Sequence, residues 1–189
     1  MKKYELVAGT EINFWGRTLF RIKALVAFGN VNAGELGGYV EKEENLDHNG
    51  DAWVYGNARV YGDAWVYGNA WVYGNARVYG DARVCGDAEV YGDARVYGDA
   101  RVCGDARVCG DAEVYGDADY ATAKGFGSVF RTTTFFRLKA GAGIGVRCGC
   151  FYGTLEAFRE KVKKSYPDSK KGKEYLMLAD LMEYRFKEE

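Results

Sequence analysis

Gly50-Asp51-Ala52-Trp53-Val54-Tyr55, continued by Gly56-Asn57-Ala58-Arg59-Val60-Tyr61, opens a run of eleven gapless six-residue copies that closes at Tyr115. The pattern is Gly-Asp/Asn-Ala-(Arg/Trp/Glu)-Val-(Tyr/Cys), and a fixed internal period decides the architecture before any other feature. Within a copy Ala and Val are two apart, so on an extended backbone they share one face, and the residues between and after them share the other. Ala and Val point inward; Arg, Trp, Glu, Tyr and Cys point outward. Gly followed by Asp or Asn makes the corner, because Gly takes positive φ freely and Asn and Asp tolerate it better than most residues. A strand of about four residues and a two-residue corner, repeated, winds into a coil and not a hairpin sheet.

The run Gly-Asn-Ala-Arg-Val-Tyr-Gly-Asp-Ala at Gly56–Ala64 resembles the hexapeptide-repeat, left-handed parallel β-helix family. It is most similar to the tyrosine-rich version of that repeat carried by phage and prophage proteins of unassigned function. The likeness is specific from Gly50 to Asp119 and looser on either side. It implies three hexads to each triangular coil. With the arginine and tyrosine columns set out below, the likeness makes one concrete reading available: a small phage-encoded protein, working in the host cytoplasm, that binds or sequesters a host component. Relative to the enzyme branch of the family, Gly and the Tyr/Cys position trade places, so acyltransferase activity does not carry over with the repeat.

The chain has 189 residues, 48% hydrophobic and 15% aromatic, with 26 glycines and one proline, which fits a corner-rich folded solenoid and not a disordered linker. No apolar run reaches membrane length, and the first seven residues lack the apolar core of a signal peptide, so a cytoplasmic protein is expected. Five cysteines without a secretory signal fit reduced thiols better than a disulfide framework. Residues 50–118 carry 6 basic and 11 acidic side chains, and residues 119–189 carry 14 and 9, so an acidic solenoid precedes a basic tail.

With three hexads to a coil, residues eighteen apart stack at about 4.8 Å. One outward ladder is then Trp53, Trp71, Glu89 and Arg107. A second is Arg59, Arg77, Arg95 and Glu113, flanked by the tyrosine column Tyr61, Tyr79, Tyr97 and Tyr115. A third is Trp65, Arg83, Arg101 and Asp119. Arginines stacked directly above one another repel, and a guanidinium lying over a tyrosine ring would offset this by about 0.5–1 kcal/mol. The same residues suit a ligand: guanidinium forks grip phosphate or carboxylate, and tyrosine rings stack on planar groups. Arg59, Arg77, Arg95, Tyr61, Tyr79, Tyr97, Arg83 and Arg101 are the candidate binding residues. Trp53, Trp65 and Trp71 are candidates for an interface, unless the N-terminal block folds back over them. The corner column Asp63, Asp81, Asp99 and Asp117 is expected to bond its own backbone and not to hold a metal. Cys85 and Cys103 are also eighteen apart, close enough for a disulfide, with thiols expected in a reducing cytosol.

Three units are expected: a β cap and leading loop over 1–49, the β-helix over 50–120, and a C-terminal unit of two strands and two helices over 121–189. In the first, Tyr4–Val7, Glu11–Phe14 and Thr18–Lys23 read as strands. Val40 and Leu46 fall in the six-residue phase of the alanines. In the last, Val129–Lys139 reads as a strand with Phe136 and Leu138 on one face. Ile144–Tyr152 returns with Ile144, Val146, Cys148 and Cys150 together on one side, the cysteines as small core residues. Thr154 caps a helix carrying Leu155, Phe158, Val162 and Tyr166, and a second helix over 172–186 presents Tyr175, Leu178, Met182 and Phe186. Arg159, Lys163, Lys164, Lys170 and Lys171 form a basic rim, either a solvated face or a phosphate-binding one.

A general base is the minimum for acyl transfer, and the only histidine, His48, precedes the regular copies with no loop to build a pocket around it. The expectation is a non-catalytic binding module without cofactor or metal. It would take an anionic, nucleotide-like small molecule such as a host defence signal, or a host protein, with nucleic acid less favoured and no membrane. Subunits of this kind would assemble as dimers or trimers. A purely structural or assembly role is the alternative.

Overall fold

The computed structural model of the protein describes residues 2–127 and 129–187. Eleven two-residue strands, one per copy, are β4 (Trp53–Val54), β5 (Arg59–Val60), β6 (Trp65–Val66), β7 (Trp71–Val72), β8 (Arg77–Val78), β9 (Arg83–Val84), β10 (Glu89–Val90), β11 (Arg95–Val96), β12 (Arg101–Val102), β13 (Arg107–Val108) and β14 (Glu113–Val114). They pair in parallel with the strand eighteen residues on, Trp53 with Trp71, Arg59 with Arg77, Trp65 with Arg83. Three sheets result: β4-β7-β10-β13, β6-β9-β12 and β5-β8-β11-β14. The third of these is extended at its N-terminal end by β1 (Tyr4–Phe14), β2 (Arg17–Ala24) and β3 (Leu36–Val40). The chain is thus mainly β, a β-solenoid of about four turns followed by two helices.

From Ala52 to Val114 every alanine and valine of the copies is at most 1% exposed, forming one continuous core. Small and β-branched side chains suit a narrow interior and favour the pleated backbone. The corners need glycine for two reasons, well seen at Gly74. Its φ is +73°, and an added Cβ would stand 3.0 Å from the Gly92 amide nitrogen of the next rung.

Parallel pairing gives the solenoid a polarity that its ends must answer. Most of the bonds between rungs donate N–H toward the C-terminal end, as Trp53 N does to the Ala70 carbonyl, so unpaired carbonyls predominate at the first rung and unpaired N–H groups at the last. At the N-terminal end the partners are chiefly donors: Lys3 Nζ reaches the carbonyls of Gly50 and Ala52 (3.2 and 3.0 Å), and buried Asn45 Nδ2 those of Gly62 and Ala64 (3.0 and 2.9 Å), while Glu41 Oε2 accepts from Gly62 N (2.7 Å). At the C-terminal end they are chiefly acceptors, though Tyr120 Oη also donates to the Arg101 carbonyl. Arg101 N donates to Asp117 Oδ1 (2.8 Å), Arg107 N to Thr134 Oγ1 (2.9 Å), and Tyr115 N to Asp119 Oδ2 (2.9 Å). Both ends are closed chemically as well as sterically, which removes the edges that would template end-to-end pairing.

The flanks differ from expectation in several places. The segments Tyr4–Val7 and Glu11–Phe14 form one eleven-residue strand, β1, whose register with β2 shifts between Val7 and Ile12, with Gly9 inside the irregularity. Val40 pairs with Val60, and Leu46 bridges Val66, so both occupy valine positions and not alanine ones. Leu46 and Val54 are eight residues apart, against six between successive valines, and the surplus forms the corner that contains His48. Asp119 leaves the third ladder in a short 3-10 turn, because β15 (Tyr120–Ala123) starts a new antiparallel sheet.

That sheet runs β15-β16-β17-β18, with β16 (Thr133–Arg137), β17 (Ile144–Cys148) and β18 (Phe151–Thr154), so the C-terminal unit has four strands and not two. Phe136 and Leu138 do share a face and pack on the solenoid core, while Phe135 turns to a second core. Cys148 is packed there as expected, but Cys150 is exposed in the turn between β17 and β18. Thr154 caps α1 (Leu155–Ser165) by accepting from Ala157 N, and Ser169 caps α2 (Lys170–Arg185) by accepting from Gly172 N. Leu155, Phe158 and Val162 of α1 meet Tyr175, Leu178 and Met182 of α2 in the second core, with Phe186 just beyond. No described helix is long and apolar enough to cross a membrane.

Candidate functional site

The second ladder stands in the predicted register, Arg59 to Arg77 to Arg95 to Glu113, but it is not a bare surface. The β1–β2 hairpin folds its tip over it. The Arg59 and Arg77 guanidiniums lie 4.4 and 5.2 Å from the Phe14 ring centre, and Arg77 also lies 5.5 Å from Trp15. Arg95 is paired with Glu113 at 3.6 Å. The rings that offset arginine repulsion are therefore supplied by the hairpin and not by the tyrosine column. The tyrosines stack on each other: Tyr61 on Tyr79 at 5.0 Å, Tyr79 on Tyr97 at 4.9 Å, with Tyr115 edge-on to Tyr97. Burial pushes Tyr61 and Tyr97 up to about 12, so the column stays neutral. Tyr61 itself is buried and cannot stack on a ligand.

The first ladder begins with Trp53, which is 0% exposed and packed beneath Phe28 (5.3 Å) and Tyr4 (6.2 Å). Trp53 is thus core and not interface, as folding back of the N-terminal block requires. Trp71 is half-buried beside Tyr55 (5.3 Å) and lines a groove of about 810 Å³ with Tyr73, Asp51, Asn69, Asp87 and Glu89. Glu89 accepts from Tyr73 Oη (2.9 Å) and pairs with Arg107 (3.0 Å). The column 51, 69, 87 was legible as an eighteen-residue corner ladder, yet only the burial of Trp53 and the position of Gly29 and Asn30 turn it into a concave wall.

The third ladder keeps its residues open. Trp65 is 38% exposed and stacks on Tyr67 at 4.1 Å; Trp65, Arg83 and Arg101 stand in register, and both arginines are exposed. Among the described residues no carboxylate lies in salt-bridge range of Arg83 or Arg101. Beside them Cys85 and Cys103 form a disulfide, Cα to Cα 4.6 Å, in place of the free thiols expected from compartment alone; stacking at strand spacing brings the two sulfurs together. Cys109 is buried, and burial raises its thiol pKa.

Among the rim residues, Arg159 is used within the fold, its Nη2 bonding Asp180 (2.7 Å) and Glu183 (2.8 Å) across the two helices, so it is not available to a phosphate. Lys163, Lys164, Lys170 and Lys171 are exposed at the facing ends of α1 and α2. His48 accepts from the Lys3 amide through Nδ1 (3.2 Å) and stacks on Tyr4 (4.5 Å), a role in seating the N-terminal cap. The corner carboxylate of Asp63 pairs with Lys42 at 2.6 Å, and no cluster able to hold a metal ion occurs among the described residues.

Residues 52–68, 70–86 and 88–104 each match the family model described as the YdcK beta solenoid repeat. The three matches begin eighteen residues apart, the same interval as the strand pairing. Together with the solenoid they support a repeat β-helix family. No curated protein matches the chain.

Proposed function

We propose that the chain is a non-catalytic binding module, and that its third face holds an anionic ligand with a planar body, of nucleotide-like chemistry. The observation that carries this is the register of Arg83 and Arg101, exposed, with no carboxylate of the described residues in salt-bridge range, one rung above and two rungs above the Trp65–Tyr67 pair. Consecutive rungs are about 4.8 Å apart, so a phosphate seated between the two guanidiniums receives hydrogen bonds from both. The aromatic pair offers its π-face to a base next to it. The Cys85–Cys103 bond ties the two arginine-bearing rungs together, which favours a preorganised seat.

The other faces fit an anion less well. Arg59 and Arg77 are roofed by the hairpin tip, and Arg95 and Arg107 are neutralised by Glu113 and Glu89. Left-handed winding with three hexads per coil is part of the same proposal; the eighteen-residue register supports the second half of it. Sequestration of a host component, if the chain is phage-encoded, is the role this reading gives to that face.

The protein purified natively, denatured, and its released small molecules identified by mass spectrometry test this directly. A phosphorylated compound is expected from the wild type and not from Arg83→Ala/Arg101→Ala. Release of nothing phosphorylated from the wild type, or of the same compound from both, overturns it.

A further inference from the structure

We infer that the groove on the first face is a separate binding site for an elongated organic polycation of the polyamine class. Its floor is aromatic: Trp71 and Tyr55 stand 5.3 Å apart with their planes tilted by 31°, and Tyr73 continues the wall, held by its stack on Tyr91 at 4.7 Å. An aromatic face attracts a cation through its quadrupole, tryptophan most strongly, and accepts the hydrocarbon between two charges equally well.

The charges are placed at the two ends of that floor. Asp51, Asn69 and Asp87 belong to three successive rungs of one corner, so the Asp51 and Asp87 carboxylates are two rung spacings apart, about 10 Å. Trp71 belongs to the middle rung. Neither aspartate is in a salt bridge among the described residues, and Asp87 is oriented by Asn69 Nδ2, which donates to it at 3.0 Å. Glu89 is already neutralised by Arg107, leaving the two aspartates as the charges that face the groove. A chain with an ammonium group at each end and methylenes between meets all three features at once; a compact monovalent amine meets one carboxylate only. Among the described residues no cationic side chain lines the groove to receive an anion.

Isothermal titration of the full chain with spermidine and with ethane-1,2-diamine tests the assignment. Saturable one-site binding of spermidine is expected, with ethane-1,2-diamine at least tenfold weaker because it cannot reach both aspartates. Trp71→Ala and Asp51→Asn/Asp87→Asn should each weaken spermidine at least tenfold with the circular dichroism spectrum retained, and Asp93→Asn, on another corner, should not. Absence of saturable binding to the wild type overturns the inference. Equal weakening by Asp93→Asn does too, since the amine would then be reading the acidic solenoid as a whole. So does tighter binding of a neutral sugar such as maltose that depends on Trp71. None of these outcomes touches Arg83 or Arg101, so they leave the third face to be judged separately.

Discussion

The Arg59 guanidinium lies 4.4 Å from the centre of the Phe14 ring, and through this contact the N-terminal hairpin roofs a ladder that would otherwise present stacked positive charges to water. Phe14 also meets Tyr61 edge-on at 5.7 Å and Arg77 at 5.2 Å. Phe14→Ala should cost about 1–3 kcal/mol, the sum of lost ring burial and two cation–π contacts. Trp15→Ala, whose side chain is 72% exposed, should stay within about 0.5 kcal/mol. Urea denaturation of the two variants checks the order; equal effects would mean that the hairpin tip does not hold the ladder.

Thr134 is buried, and its Oγ1 is the acceptor that answers the last-rung N–H of Arg107. Thr134→Val keeps the shape and strands that N–H, so a loss of about 1–3 kcal/mol is expected. Thr122→Val, on an exposed position of β15, should be close to neutral. A neutral Thr134→Val would show that the C-terminal end is closed by packing alone.

Lys3 is buried under the first rung, and burial pulls its pKa down to about 8. Between pH 8 and the ordinary lysine range the unfolded chain binds a proton that the folded chain does not. Stability contributed by this group therefore rises with pH across that window and is flat below it. Above about pH 10 the sign reverses, because Tyr55, Tyr61 and Tyr97, pushed up to about 12 by burial, ionise first in the unfolded chain. Urea midpoints from pH 7 to 11 should pass through a maximum near pH 10, and Lys3→Met should remove the rising limb. A rising limb that survives in Lys3→Met would place its origin elsewhere.

The Cys85–Cys103 bond closes a loop of one coil. Reduction should cost about 2–4 kcal/mol by releasing that constraint on the unfolded chain. Denaturation with and without reductant reads this out, with Cys85→Ala/Cys103→Ala as the variant in which reductant must have no further effect.

What could be read from the sequence followed from strict periodicity. Alternation put Ala76 and Val78 inside and Arg77 and Tyr79 outside, and eighteen-residue spacing placed Arg59 beneath Arg77, because in a repeat each residue's neighbour is its own copy one coil away. The helices of the C-terminal unit were legible for a similar reason, since Leu155, Phe158 and Val162 recur at helical spacing and Thr154 caps them. What escaped lies where the period ends. Val40 and Leu46 are two residues out of the assumed phase because an irregular corner around His48 absorbs the difference. Lys3, Asn45 and Thr134 have no sequence signal as caps, since the need they meet is created by the backbone polarity of the finished coil. Phe14 and Trp15 are remote in sequence from Arg59 and Arg77, and no local pattern couples them. The first-face groove likewise exists only because the N-terminal block packs over Trp53.

The central claim is that Arg83 and Arg101 are the open, anion-binding pair among ladder arginines that are otherwise roofed by aromatic rings or paired with glutamates. Calorimetric titration with a panel of nucleoside mono- and diphosphates, against the wild type and three single variants, tests it most directly. At least one member should bind at a single site. Arg83→Ala and Arg101→Ala should each weaken it about tenfold to hundredfold, the value of a charged hydrogen bond of roughly 1.5–3 kcal/mol, and Arg95→Ala should leave it unchanged. Equal weakening by all three variants, or no binding of any member to the wild type, would contradict it.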